Sequence, residues 1–100
     1  MPTVYVTAPR EAAADLAELL VSERLAACVN VVDCASTYRW EGEVHHDDEA
    51  ILFAKTTEEA CEALMTRVEE AHPYDVPSVE RFDESRVMAA FARWRGDVVD

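Results

Sequence analysis

Hydrophobic and polar positions change period several times along this chain, and each change marks an element. Thr3-Val4-Tyr5-Val6-Thr7 is rich in β-branched and aromatic residues, which predicts a strand ending at Pro9. From Arg10 to Arg24 alanine and leucine take over, with Ala13, Leu16 and Leu20 on one face and Glu11, Asp15 and Glu18 mostly elsewhere, the pattern of an amphipathic helix. Ala26 to Trp40 is again strand-like, Glu41-Gly42 supplies a two-residue turn, and Glu43 to Thr56 is the returning strand. Thr57, followed by Glu58 and Glu59, starts a second helix whose Cys61, Leu64, Val68 and Ala71 share a face. Pro77 to Phe82 is a short fourth strand, and Glu84 to Arg95, with Val87, Met88, Phe91 and Trp94, is a last helix closed by Gly96.

The order β-α-β-β-α-β-α predicts an α+β fold of ferredoxin-like type. Two right-handed β-α-β halves give a four-stranded antiparallel sheet with helices on one face. The hairpin strands are about twice the usual 5 to 6 residues, so their far ends overhang a domain this small. Pairing the overhang with another copy of the chain would remove the exposed edges. Residues 1–100 are expected to form one domain, without repeats or linkers.

The connection His72-Pro73-Tyr74-Asp75-Val76-Pro77 is the most distinctive segment. Its prolines fix their own φ near −65° and push His72 and Val76 away from helical geometry, so the second helix must stop there. His72 and Tyr74 are thus displayed from a stiff corner, where an imidazole can ligate a metal or switch hydrogen bonds near neutral pH.

Charge narrows the partners. Twenty-one acidic residues against nine basic ones give a net charge of −12. That excludes nucleic acid and anionic membrane as favoured surfaces. No apolar run approaches the roughly 20 residues of a membrane span and no signal peptide is recognisable, so a soluble cytoplasmic protein is expected. Lys55 is the single lysine beside eight arginines, a balance that suggests life in concentrated salt, where screening over about 3 Å at 1 M removes self-repulsion. Cys28, Cys34 and Cys61 are odd in number and lack a C-x-x-C pair, which favours free, buried thiols in a reducing compartment.

His45-His46-Asp47-Asp48-Glu49 is the richest run of metal donors. Neighbouring strand residues point to opposite faces, so His45 with Asp47, and His46 with Asp48, are the natural pairs; a solvated acidic strand edge is the competing reading. Tyr38, Trp40, Phe91 and Trp94 read as core or interface aromatics.

Glu23-Arg24-Leu25-Ala26-Ala27-Cys28-Val29-Asn30, Tyr38-Arg39-Trp40-Glu41-Gly42-Glu43 and the His72–Pro77 corner together resemble the CutA family of divalent-cation tolerance proteins. Val6-Thr7-Ala8-Pro9, Lys55-Thr56 and Trp94 extend the likeness over nearly the whole chain. The resemblance implies a ferredoxin-like homotrimer with hairpins paired across subunits, a link to copper and other divalent cations, no required cofactor and no enzymatic mechanism. Some members bind copper through a cysteine before Thr-Ala-Pro and a His-His pair before Pro-Tyr; here Val6 and Ala71 replace the cysteine and the first histidine, and His72 alone carries over. The resemblance also implies a pocket at the subunit boundary built from Cys28, Lys55, His72 and Tyr74, with Trp40 from another subunit. Two other functions compete with metal tolerance. One is a trimeric regulatory module that senses a small molecule in this pocket and signals to an unknown protein partner. The other is a hydrolase using Cys28 and His72, which a chain with two glycines and no oxyanion loop disfavours.

Overall fold

A computed structural model describes residues 1–99. Its elements are β1 (Pro2–Pro9), α1 (Arg10–Ser22), β2 (Cys28–Trp40), β3 (Glu43–Lys55), α2 (Cys61–Ala71), β4 (Val79–Asp83) and α3 (Ala89–Val98). The strands form one sheet in the order β2-β3-β1-β4, antiparallel at every junction, as the ferredoxin-like reading requires.

The core follows from strand alternation. Val4, Val6 and Ala8 of β1 and Ala50, Leu52 and Ala54 of β3 lie on one face, where Ala13, Leu16 and Leu20 of α1 and Cys61, Leu64 and Val68 of α2 cover them. The opposite face carries Tyr5, stacked on Phe82 at 5.4 Å and edge-on to Phe53 at 5.8 Å. Tyr5 and Phe53 are partly buried there, and Phe82 stays about half exposed.

The hairpin is the long axis of a 45 × 25 × 20 Å molecule. β2 and β3 pair without a break from Cys28↔Lys55 to Trp40↔Glu43. β1 accompanies β3 only as far as Glu49, so residues 43–48 and their β2 partners project as a two-stranded ribbon with both edges free. At the tip Glu41 (φ 49°) and Gly42 (φ 82°) both lie in the left-handed region, the turn whose twist matches flanking strands. A Cβ at Gly42 would meet nothing within 4 Å, so Gly42→Ala should cost only the backbone term, about 1–2 kcal/mol, seen as a lower urea midpoint.

Several boundaries differ from the sequence expectation. α1 stops at Ser22 rather than Arg24 because Arg24 turns left-handed (φ 60°), and the N–H groups of Arg24 and Leu25 donate to the Val21 and Leu20 carbonyls. This closure usually employs glycine. α2 begins at Cys61, since Thr57 Oγ1 takes the Ala60 N–H and sets a turn first. β4 begins at Val79. The expected helix from Glu84 starts only at Ala89, and it runs through Gly96 to Val98 instead of closing there. Glu84 is held elsewhere: its N–H donates to the Met1 carbonyl, and its carboxylate accepts from Thr3 and Arg95. Arg95 is the only buried residue of α3, so the helix hangs on a charged side chain.

Of the thiols only Cys61 is fully buried, which raises its pKa; Cys28 and Cys34 are half-buried, and all three are free. The core reading fails for Tyr38, Trp40 and Trp94, each 40% or more exposed in the single chain.

Candidate functional site

The proline-framed corner is where chemistry-bearing side chains meet. α2 ends because Pro73 keeps His72 extended (φ −74°, ψ 139°), while the His72 N–H still donates to the Val68 carbonyl at 2.8 Å. The His72 ring then lies against β1 just beyond the last β1–β4 pair, Val6↔Val79. Its Nε2 is 2.7 Å from the Thr7 carbonyl and its Nδ1 is 3.1 Å from the Tyr74 backbone nitrogen. An amide can only donate and a carbonyl can only accept, so Nδ1 accepts, Nε2 carries the proton, and both nitrogens are occupied. His72 is 8% exposed. A metal on His72 would therefore first have to displace the Tyr74 amide or the Thr7 carbonyl.

Tyr74 tilts over the His72 ring at 4.9 Å and donates its hydroxyl to Glu49 Oε2 at 2.8 Å. Burial, together with the Glu49 carboxylate, pushes the Tyr74 phenol far above its ordinary pKa, so it stays a donor throughout the physiological range. Glu49 is only 6% exposed and stands opposite Pro9 and Cys34, where the ribbon leaves the sheet. Arg10 fixes the same root: its Nε donates to the Glu49 carbonyl (3.1 Å) and its Nη2 to the Cys34 carbonyl (3.3 Å). Glu49 and Arg10 escape sequence reading, Glu49 because it closes an acidic run that looks solvated. The clue available was its place one residue before Ala50, at the end of that run. Tyr74→Phe leaves a buried carboxylate without its donor and is expected to cost about 1–3 kcal/mol by urea denaturation.

The remaining candidates lie apart. Lys55 donates to Asn30 Oδ1 and faces Cys28 across the hairpin, six strand residues, or about 20 Å, from Glu49. Trp40 is at the opposite end of the hairpin, paired with Glu43. One chain thus holds the expected boundary pocket in three separate places: Cys28 with Lys55, His72 with Tyr74, and Trp40. His45 and His46 do point to opposite faces. His45 stacks on Tyr38 at 5.5 Å, and Tyr38 donates to Asp47, which pushes its phenol pKa up; His46 Nδ1 meets Thr37 Oγ1 at 3.2 Å on the other side. Among the described residues no three His, Cys, Asp or Glu side chains converge on a point suited to a metal ion.

Comparison with known proteins places this architecture. The family model described as CutA1 divalent ion tolerance protein matches residues 2–98. A divalent-cation tolerance protein CutA from Pyrococcus horikoshii is 39% identical over 95 residues, covering 94% of this chain and 93% of the relative. Its namesake from Thermus thermophilus is 50% identical over 78 residues, 76% of each chain. The crystal structure of Pyrococcus horikoshii CutA1 carrying the mutation D60A superposes with a TM-score of 0.97 at 37% identity, covering 100% of this chain and 99% of that one. A match over nearly the full length, in sequence and in backbone, leaves one conclusion: the chain belongs to the CutA1 family of divalent-ion tolerance proteins.

Proposed function

We propose that this divalent-cation tolerance protein works as a cytoplasmic homotrimer without enzymatic activity, and that any cation or small ligand is held between subunits rather than inside one chain. The observation that carries this reading is the hairpin ribbon, which projects beyond β1 with both edges free and carries Trp40 away from Lys55 and His72. A neighbouring copy paired along that ribbon satisfies its edge groups and offers a second set of side chains to the corner. Copper or another divalent cation is the candidate ligand, with His72, His45 and His46 as its imidazoles. No resident cofactor is required. A hydrolytic Cys28–His72 pair finds no support: Cys28 is level with Lys55, whereas Thr7, which holds His72, is level with Ile51, four residues or about 13 Å along β3.

One observation favours the alternative of a small-molecule-sensing regulatory module at the same boundary. Both His72 nitrogens are already bonded, so an organic ligand contacting Tyr74 or Lys55 disturbs less than a metal would. Calorimetric titration with Cu²⁺ and Zn²⁺ at high KCl separates the readings, using wild type, His72→Ala and His45→Ala/His46→Ala. The metal reading expects tight binding that one of the variants abolishes. Absence of tight binding in wild type would contradict a direct metal role and leave the boundary pocket to a metabolite.

A further inference from the structure

Beside this corner, at its Pro77 end, a groove of about 270 Å³ runs between α2 and the start of β4, lined by Glu62, Met65, Thr66, Glu69, Pro77 and Val79. We propose that it docks a partner protein through an extended, polyproline-type segment carrying two basic side chains three residues apart, with an apolar residue between them.

Charge and spacing argue for this occupant. Residues 62, 65, 66 and 69 share one flank of α2, and Glu62 and Glu69, seven residues apart, stand almost in line about 10.5 Å from each other. A polyproline II helix has three residues per turn and rises 3.1 Å per residue, so its side chains at i and i+3 share a ridge about 9.3 Å long. That ridge matches the two carboxylates, and the neighbouring ridge faces the apolar floor of Met65, Pro77 and Val79. Neither carboxylate is already compensated: among the described residues Glu62 and Glu69 form no ion pair, although nearby acids do. Glu58 is held by Arg81 at 2.6 Å, and Glu70 by Arg67 at 3.8 Å. Arg67 itself lies on the other flank of α2, bonded through Nε and Nη2 to Glu23 at the end of α1.

The test is fluorescence anisotropy on the full chain at about 0.1 M KCl, where the Debye length is about 10 Å. The probe is a labelled Pro-Arg-Pro-Leu-Arg-Pro peptide, compared with an isomer, Pro-Arg-Arg-Leu-Pro-Pro, whose arginines are adjacent. The proposal expects the spaced peptide to bind about tenfold more tightly than the isomer. Glu62→Gln/Glu69→Gln should remove about tenfold of that affinity, whereas Glu11→Gln/Asp15→Asn, which changes the charge of α1 equally, should leave it unchanged. Equal binding of both peptides, or equal loss in both variants, would reduce the effect to diffuse acidity and overturn the proposal. Displacement of the peptide by equimolar spermidine would overturn it in favour of a small polycation.

Discussion

Arg95→Met is expected to be among the most damaging single substitutions in this protein, costing about 3–5 kcal/mol of folding stability, because it strands a part-buried carboxylate that now faces a charge partner. Arg95 is 1% exposed. Nη1 donates to the Pro2 (3.1 Å) and Thr56 (3.3 Å) carbonyls, Nη2 reaches Glu84 Oε1 at 3.2 Å, and the group lies 5.0 Å from the centre of the Phe91 ring. It therefore ties α3 to the N-terminus and to the segment after β3 at one point. Adding Glu84→Gln should recover part of the loss, since the stranded charge then disappears while the two carbonyls still lack a donor. Acid should mimic the lesion. Burial alone would raise the pKa of Glu84, but the Thr3 hydroxyl, the Glu84 backbone N–H and Arg95 outweigh it and hold the carboxyl below its ordinary value. A lowered folded-state pKa means that this stabilisation is fully present above the unfolded-state pKa, near 4.3, and is lost as the pH falls through the folded one. Urea midpoints from pH 6 down to pH 3 should fall more steeply for wild type than for Glu84→Gln.

Replacing residues 37–46 by Asn-Gly should abolish assembly and leave a folded monomer. The new turn would be flanked by Ser36 and Asp47, which are paired two steps below the present Tyr38↔His45 pair, so the side-chain alternation of the ribbon root is kept. Nothing in the hydrophobic core is touched, and Arg10 and Tyr74 still hold Glu49. What is lost is the part of the hairpin that β1 never covers. Circular dichroism should be retained while the sedimenting mass drops to that of one chain.

The sequence made the hairpin legible because length and alternation reveal a strand's pairing as well as its presence: Ala26–Trp40 and Glu43–Thr56 differ from β2 and β3 by two residues or fewer. The proline corner was legible for a similar reason, since φ restriction is local. Long-range satisfaction of charge was not. Arg95 ends a segment that reads as an amphipathic helix with Phe91 and Trp94 as its apolar residues, and only the fold reveals that the arginine is the side chain buried, against Pro2 and Thr56. The same holds for Glu84, which fits a helical periodicity but is drawn out of it by Thr3 and Arg95, residues 81 positions before and 11 after it. Glu49 was hidden by composition, because four potential donors precede it in the part of β3, residues 43–48, that is largely exposed. His72 was visible as an imidazole, and its Nδ1 is met locally by the Tyr74 N–H, but the bond at Nε2 depends on the placement of Thr7, which no local pattern encodes.

The most direct test of the account is the mass of the wild-type chain in solution, measured by sedimentation equilibrium over micromolar concentrations at low and high KCl. Ribbon pairing between copies predicts three times the 11.2 kDa of one chain, unchanged on dilution, with ribbon amides protected from hydrogen exchange. A species of 11.2 kDa whose ribbon amides exchange freely would contradict it.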